Sequence, residues 1–357
     1  MADEVENYPE SDRAPGCLHP RQTYDLIGHD AAEKRFLKAW TSGRIHHAWL
    51  ITGPAGCGKA TLAYRMARYI LGARSLLDNS LDIPPSDPVA QRIEALGHGD
   101  FFLLRRPYDL KTKKLRTEIP ISETRRLRDF FTQKASEGGW RVCLIDTADD
   151  LNINSENAVL KTLEEPPAQT IIILLSSEPG RLLPTIRSRC MHLPLRAVPD
   201  TEIESWLRKR QDISSESESD DMTHAAIHLA RGGPGKAVAL LQSSDQVLNP
   251  LKRYLASLER NNSQLDHQIS NSLAMPNAAL SRKYFFEAIQ DVLQAQSIFT
   301  ITGEWKAAFA PLPIQRAALD WEKLWRRACF LQERESALNM DKKTVMLDLL
   351  SEIRGQV

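Results

Sequence analysis

The sequence predicts an α/β domain built on a parallel sheet, followed by domains made only of helices. Short apolar runs alternate with segments of helical spacing through residue 195, and beyond it only helical patterns remain. Apolar runs without polar alternation are typical of strands that are covered on both faces, as in a parallel sheet. Four such runs are present, at residues 48–52, 101–104, 142–145 and 171–175.

The segments around these runs predict the helices and the domains. Apolar residues recur at helical spacing from Asp30 to a stop near Gly43, and then in 62–71, 122–133, 155–163, 281–298, 314–338 and 342–353. The predicted regions are a flexible leader (1–20), an α/β domain (21–197), a helical lid (198–245) and a helical C-terminal domain (246–357). The acidic serine run at 214–221 is expected to be a solvated loop.

Composition excludes several classes of protein. The 46 basic side chains equal the 46 acidic ones, so the whole chain has no net charge to draw it to nucleic acid or to an acidic membrane. The five cysteines lie far apart without a Cys-x-x-Cys pair, which excludes a disulfide framework and a zinc cluster. No apolar run reaches 18 residues, and the first 20 residues lack a signal-peptide pattern. A cytoplasmic protein without membrane contact is therefore expected.

The stretch GPAGCGKAT, at 53–61, nearly matches the phosphate-binding loop G-x-x-x-x-G-K-[ST]. It follows an apolar run and precedes a helical pattern, so backbone N–H groups and the positive end of a helix would surround a phosphate. Ala60 stands where a hydroxyl normally binds Mg²⁺. The candidate nucleotide-binding residues in this loop are Gly53, Gly56, Gly58, Lys59 and Thr61. Glycines that serve packing alone are the alternative, and binding of ATP with Mg²⁺ stays open on this pattern.

A carboxylate at the end of a neighbouring strand is the second part of such a site, because it holds Mg²⁺ through water. Asp146 follows the run at 142–145 and is the candidate. ATPases of this architecture usually continue with a glutamate that polarises the attacking water, but Thr147 stands here. Asp149 and Asp150 are expected to begin the next helix as N-terminal carboxylates. Since the magnesium hydroxyl is also missing, autonomous hydrolysis of ATP is disfavoured.

Residues 151–190 extend the pattern well beyond the loop. They include NAVLKTLEEPP at 157–167 and Ser-Arg-Cys at 188–190. On these two motifs the chain resembles the bacterial clamp-loader branch of the AAA+ ATPases, and the approach to the loop at 43–50 is also similar. The resemblance is specific over about residues 22–240. It implies a P-loop AAA+ domain, a small helical lid and an all-α collar domain.

The resemblance also implies a role in DNA replication. Clamp-loader subunits form an arc of five around primer–template DNA and open a sliding clamp, with ATP at the boundaries between subunits. Arg189 would act in trans as an arginine finger on the γ-phosphate held by a motor subunit, and an arginine that bonds its own domain is the alternative. Arg187 would point the same way on an extended segment. The implied partners are γ/τ and δ subunits in a hetero-pentamer, the sliding clamp, and DNA through the complex.

Departures from the family pattern refine this interpretation. Gly235 stands where motor subunits carry a nucleotide-sensing arginine, which indicates a non-motor subunit. A motor ATPase in which Thr61 or water replaces the missing hydroxyl is the alternative. Many relatives carry a four-cysteine zinc module after the P-loop helix, but residues 71–100 contain no cysteine, so no zinc is expected. The most basic stretches could contact DNA phosphates, although a solvated helix face is the commoner outcome. Their residues are Lys111, Lys113, Lys114, Arg125, Arg126 and Arg128.

Overall fold

The computed structural model describes residues 9–14, 17–137, 139–209, 220–260, 262–338 and 340–355, without the side chains of 336–338. The predicted acidic serine loop lies outside these residues except for Asp220 and Asp221, which begin a helix. Two compact units are present, Met1–Glu202 with Gly232–Gly235, and Ile203–Arg231 with Lys236–Val357. The finer division into lid and collar domains stays a prediction.

The first unit contains a five-stranded sheet and a two-stranded hairpin. The strands are β1 (Ala48–Thr52), β2 (Phe101–Arg105), β3 (Tyr108–Asp109), β4 (Lys114–Leu115), β5 (Arg141–Asp146), β6 (Thr170–Ser176) and β7 (Met191–Pro194). The large sheet has the order β2-β5-β6-β1-β7, and all its neighbouring strands are parallel. The four predicted strands are confirmed. The apolar-run criterion misses β7 because this edge strand buries only Leu193.

The first unit also contains helices, the last of which continues into the second unit, and the four with predicted bounds begin within three residues of those predictions. The helices are α1 (Asp30–Thr41), α2 (Lys59–Ile70), α3 (Pro88–Glu94), α4 (Ile121–Thr132), α5 (Ile153–Glu164), α6 (Pro184–Ser188) and α7 (Asp200–Arg208). Helices α3 and α6 are short and begin with proline, which suits the first turn of a helix but gives no long apolar pattern to detect.

Strand β1 anchors the loop that follows it, because its two faces enter separate cores. Trp49 packs with Phe36 of α1 and Leu62 of α2 on one face. Leu50 packs with Phe131 of α4 on the other. Both sets of side chains are almost fully buried. The position of the first residue after β1 is therefore fixed from both sides of the sheet.

The described part of the leader is attached to this unit by charged side chains. Arg21 pairs with Glu10 through contacts of 2.8 and 3.2 Å. Arg105 of β2 contacts both Glu10 and Asp12. Composition predicts a flexible segment over 1–20, but an arginine 95 residues away is invisible to a local pattern. The prediction of a flexible leader therefore does not include the side-chain contacts that Glu10 and Asp12 make with Arg21 and Arg105.

Ion pairs also hold the connection between α2 and β2, the segment in which the resemblance leads one to look for a zinc module. Arg65 of α2, with 6% of its side chain exposed, pairs with Glu33 at 2.6 Å and with Asp82 at 2.5 Å. Asp87 accepts a hydrogen bond from the backbone N–H of Arg74 at 3.1 Å and caps α3. Within the described ranges, no group of three or more histidine, cysteine or acidic side chains could hold a metal ion. Charged side chains fix this connection.

The second unit is helical. Its remaining helices are α8 (Asp220–Ala230), α9 (Pro234–Gln242), α10 (Leu248–Ala256), α11 (Ser263–Ala274), α12 (Ala279–Thr302), α13 (Ala318–Leu338) and α14 (Lys342–Arg354). Arg354 and Asp266 form a buried bidentate pair at 2.6 and 2.9 Å that joins α14 to α11. Trp321 of α13 is fully buried, as its apolar stripe predicts. No helix in the described part of the chain is both long enough and apolar enough to cross a bilayer.

The substitution Arg65→Ala should lower the free energy of unfolding by about 3 kcal/mol, because it leaves the largely buried Glu33 without its partner. Urea unfolding followed by circular dichroism measures the change. Arg92→Ala is the matched control, since its pair with Glu137 is nearly half exposed and screened by water, so its loss should change the free energy of unfolding far less. Equal effects of the two substitutions would contradict the structural role of Arg65.

Candidate nucleotide-binding site

The glycine loop between β1 and α2 has the backbone of a phosphate-binding loop. Gly58 is the N-cap of α2 with a φ of 104°, a conformation that side chains disfavour. A Cβ atom at Gly53 would lie 2.7 Å from the carbonyl oxygen of Leu195. Gly56 accepts a hydrogen bond from the backbone N–H of Gly235 at 3.0 Å. These constraints explain the glycines, and the loop ends at the positive end of a twelve-residue helix.

Lys59 turns its ammonium group into this loop. The Nζ atom donates to the carbonyl oxygens of Gly53 and Pro54, both at 2.8 Å, and to Ser177 Oγ at 2.9 Å. Burial lowers the pKa of Lys59, and the negative charges of Asp146 and Asp149 act in the opposite direction. The lysine predicted to contact phosphate thus lies in the cradle, where three protein oxygens satisfy it.

Asp146 lies at the end of β5, in register with Arg105 of β2. Burial raises the pKa of Asp146 to about 7, and the charge of Asp12 adds to the increase while Lys59 opposes it. Protonation therefore competes with the binding of Mg²⁺ by this carboxyl group near neutral pH. The predicted acid is in the predicted place, but it is poorly charged.

The hydroxyl groups near this site fit magnesium poorly. Ala60 follows Lys59 in α2 and offers no oxygen, while Thr61 is only 9% exposed. Thr147, in the position of the catalytic glutamate, donates its hydroxyl to the carbonyl oxygen of Leu175 at 2.8 Å. The phosphate half of the site fits a nucleotide, whereas the magnesium half lacks the hydroxyl and the second acid.

Asp149 is a residue of this site that sequence reasoning misplaced. Its carboxylate accepts hydrogen bonds from Ser176 Oγ at 2.5 Å, from the Ser177 N–H at 2.7 Å and from the Glu178 N–H at 3.2 Å. Asn152, and not Asp149 or Asp150, caps α5. The prediction that the two aspartates begin this helix is wrong, because a 3₁₀ turn, Ala148–Asp150, intervenes and aims Asp149 at the end of β6.

Asp149 and Lys59 act on the same residue from two sides. Asp149 holds the backbone of Ser177, and the hydroxyl of Ser177 accepts from Lys59. The chain of contacts links the loop after β5, the end of β6 and the P-loop. Two consecutive serines directly after a buried strand are the only signal in the sequence for this contact.

Arg189 lies outside this site, at the C-cap of α6. Its guanidinium pairs with Glu164 at 2.9 Å, donates to the carbonyl oxygen of Thr185 at 3.1 Å, and leaves 37% of the side chain exposed. Arg187 lies in the last turn of α6. The segment is therefore helical and not extended, so residues two apart point in different directions. The prediction that Arg187 and Arg189 point the same way is wrong.

Of the remaining predicted positions, Gly235 touches the loop and the six basic residues lie elsewhere. Gly235 contacts the P-loop only through its backbone, and a Cβ atom there would lie 3.4 Å from the Gly56 carbonyl oxygen. All six basic side chains singled out as DNA-contact candidates are exposed, on α4 and around the β3–β4 hairpin. Arg126 among them pairs with Glu123 at 2.8 Å.

The fold and the site together define an α/β domain with a parallel sheet and a P-loop whose magnesium half is incomplete. Residues 28–199 match the family model described as "DNA polymerase III, delta subunit". The chain is 32% identical to the DNA polymerase III subunit delta′ of Escherichia coli (strain K12), and 32% identical to that of Pseudomonas aeruginosa. Each alignment covers 59% of this chain, and they cover 59% and 63% of the relatives. The resemblance that the sequence motifs predict is therefore confirmed, over a part of this chain and of each relative.

Two further comparisons agree with the fold. The DNA polymerase III subunit gamma/tau of Mycobacterium bovis is 27% identical over 64% of this chain and 37% of that relative. The solved structure of a DNA polymerase III, gamma subunit-related protein from Thermotoga maritima matches with a TM-score of 0.53 at 16% identity. That match covers 90% of this chain and 99% of the other, and it concerns the fold alone.

The substitution Asp146→Asn should stabilise the protein in a pH-dependent way. Between pH 3.8 and about 7 the folded chain keeps a proton on Asp146 that the unfolded chain has lost, so this group lowers stability as the pH rises. The variant should exceed the parent by about 2–4 kcal/mol at pH 8 and match it near pH 4. Urea unfolding at several pH values measures this difference, with Asp320→Asn as an exposed control. A difference that is constant with pH would contradict the raised pKa.

Proposed function

We propose that this protein is the δ′-type subunit of a bacterial clamp loader, a replication protein that helps to load a sliding clamp onto primed DNA. The observation that carries the proposal is the exposed Arg189, held by Glu164 on the outside of a domain whose own P-loop lacks the magnesium hydroxyl. A subunit of this kind contributes geometry and one cation to catalysis, and hydrolysis takes place in a neighbour.

Arg189 suits the role of an arginine finger. The guanidinium stays charged at any physiological pH, and its planar donors match phosphate oxygens. The Glu164 carboxylate that now pairs with it is exposed, so exchange for a more highly charged phosphate needs little desolvation. Beside the γ-phosphate of an adjacent motor subunit, Arg189 would stabilise the charge of the transition state.

The P-loop of this chain would hold the phosphates of ATP without effective hydrolysis. The loop N–H groups and Lys59 would contact the phosphates, and Asp146 would face Mg²⁺ through water. Bound nucleotide would supply polyphosphate charge that orders the loop. The raised pKa of Asp146 makes this carboxyl group a poorer ligand for Mg²⁺. Thr147 donates its hydroxyl to the carbonyl oxygen of Leu175 and has no carboxylate with which to polarise a water molecule.

The partners follow from the same proposal. The protein would assemble with γ/τ and δ subunits in a cytoplasmic hetero-pentamer and would meet the sliding clamp and primer–template DNA through that complex. The helices beyond residue 245 would supply the collar contacts. Exposed basic residues of α4 and the hairpin are available for contacts to DNA phosphates.

The substitution Arg189→Ala in the reconstituted complex should lower the clamp- and DNA-stimulated ATPase rate. Hydrolysis at the one site that Arg189 faces should slow about tenfold or more. The total rate of the complex should therefore fall by nearly the fraction that this site contributes to it. Steady-state phosphate release measures the rate, and size-exclusion chromatography shows that the complex is intact.

Arg187→Ala is the matched control for that experiment, since it removes an exposed arginine two residues away that points in another direction. It should leave the stimulated rate unchanged. An unchanged rate for Arg189→Ala in an assembled complex would remove Arg189 from the mechanism.

The substitution Lys59→Ala tests the P-loop of the isolated chain. Loss of a charge-assisted contact should weaken ATP binding by about tenfold or more, because hydrogen bonds to charged groups contribute about 1.5–3 kcal/mol. Isothermal titration calorimetry with and without Mg²⁺ measures the affinity. Hydrolysis by the isolated parent chain at a rate that Lys59→Ala abolishes would instead favour the alternative, a catalytically competent γ/τ-like ATPase.

A further inference from the structure

The segment before α1 carries Glu10 and Asp12, which contact Arg105 at the edge of the sheet beside the candidate magnesium residue Asp146. We call the described residues 9–14 and 17–22 the strap. Arg105 holds Glu10 at 3.0 Å and also contacts Asp12. Arg105 is in register with Asp146 across β2 and β5. The strap therefore places two carboxylates at the end of the strand that carries Asp146.

The strap is attached to the first unit through Ser11 and Arg105, and two internal ion pairs fold it on itself. The side chains of Asp12 and His19 are both fully buried, with 3.2 Å between the carboxylate and ring Nε2. Ser11 donates its hydroxyl to the carbonyl oxygen of Arg106 at 3.1 Å. Arg21 closes the segment on itself by its bidentate pair with Glu10. The strap is thus an ordered part of the first unit, with defined side-chain contacts.

The same strap also reaches the glycine loop. Cys17 Sγ contacts the carbonyl oxygen of Gly235 at 3.5 Å. The N–H of Gly235 in turn donates to Gly56 at 3.0 Å. The strap is connected in this way to both halves of the candidate nucleotide site, the loop for phosphates and the strand end for magnesium.

Docking of the strap leaves a buried polar group unsatisfied. The hydroxyl of Tyr64 is fully buried and has no hydrogen-bond partner among the described residues. The ring of His19 meets Tyr64 edge-on at 6.1 Å. A buried hydroxyl without a partner loses its hydration and gains nothing in exchange, so the region in which His19 packs against α2 carries an unfavourable contribution to its free energy.

We propose that the strap is a displaceable cover, and that its docking and the binding of a magnesium nucleoside triphosphate at the P-loop exclude each other. In the docked state Glu10 and Asp12 neutralise Arg105. A magnesium nucleoside triphosphate is itself an anion, so the carboxylates of the strap repel it and compete with it for the cations of this edge. On displacement, Arg105 and Lys59 together face the incoming phosphates.

This inference rests on nucleotide binding in the proposed function, but not on the arginine finger. It also gives the strap carboxylates a role that differs from that of metal ligands. Within the described residues no three-ligand cluster is present, and the acids of the strap are paired with Arg105, His19 and Arg21.

The test compares the full chain with the double variant Glu10→Gln/Asp12→Asn. Titration with a fluorescent ATP analogue and Mg²⁺ measures affinity. If the strap is closed in about nine molecules of ten, opening it should tighten binding about tenfold, since the apparent dissociation constant scales inversely with the open fraction. The control variant Glu304→Gln/Asp320→Asn removes two exposed carboxylates of the second unit and should leave the affinity unchanged.

Hydrogen–deuterium exchange of the unmodified chain gives a second measurement that does not depend on a variant. Saturation with the magnesium nucleotide analogue should increase amide exchange in residues 9–22 severalfold while it protects the glycine loop. A strap that stays protected when nucleotide is bound, or a double variant with unchanged affinity, would overturn the proposal. Absence of nucleotide binding to both chains would overturn it as well, and the ATPase test of Arg189 would still stand.

Discussion

The candidate site depends on one constraint, the parallel pairing of β5, β6 and β1. Parallel strands bring their carboxyl ends to the same edge, so residues that are far apart in sequence meet there. Gly53 follows β1, Asp146 ends β5 and Ser177 follows β6. The hydrogen bond from Lys59 to Ser177 and the contacts of Asp149 with the same serine exist only because these ends coincide. The burial of β1 on both faces keeps this edge in place.

The sequence predicts the strands and the loop whose pattern lies within a few consecutive residues. The strands at 48–52, 101–104, 142–145 and 171–175 are continuous apolar runs, and their burial on both faces is what such runs require. The glycine loop can be predicted from the sequence because phosphate binding needs particular residues at fixed spacing. Strand β7 cannot be predicted in this way, because it lies at the edge of the sheet and buries one side chain, Leu193, so it has no apolar run.

Other features of the site depend on contacts between distant residues. No periodicity in 9–22 shows that Arg105 will hold Glu10 and Asp12. The role of Asp149 depends on a three-residue turn, and the direction of Arg187 depends on a five-residue helix. The zero net charge of the chain, which bears on long-range attraction, does not predict which acids and bases pair in the folded protein. In this site, charged side chains act through individual ion pairs, and the net charge of the molecule adds no long-range electrostatic field.

If Arg189 is the arginine finger proposed above, its pair with Glu164 has a consequence for the entropy of that step. An arginine side chain loses roughly 2 kcal/mol of rotational freedom when it is fixed in one position. Glu164 is the last residue of α5, where the helix dipole favours a nearby cation, and the carbonyl oxygen of Thr185 adds a second restraint. Much of the ordering is therefore complete before any partner arrives. A neighbouring subunit would meet a side chain that is already confined, so less of the association energy is lost in arranging it.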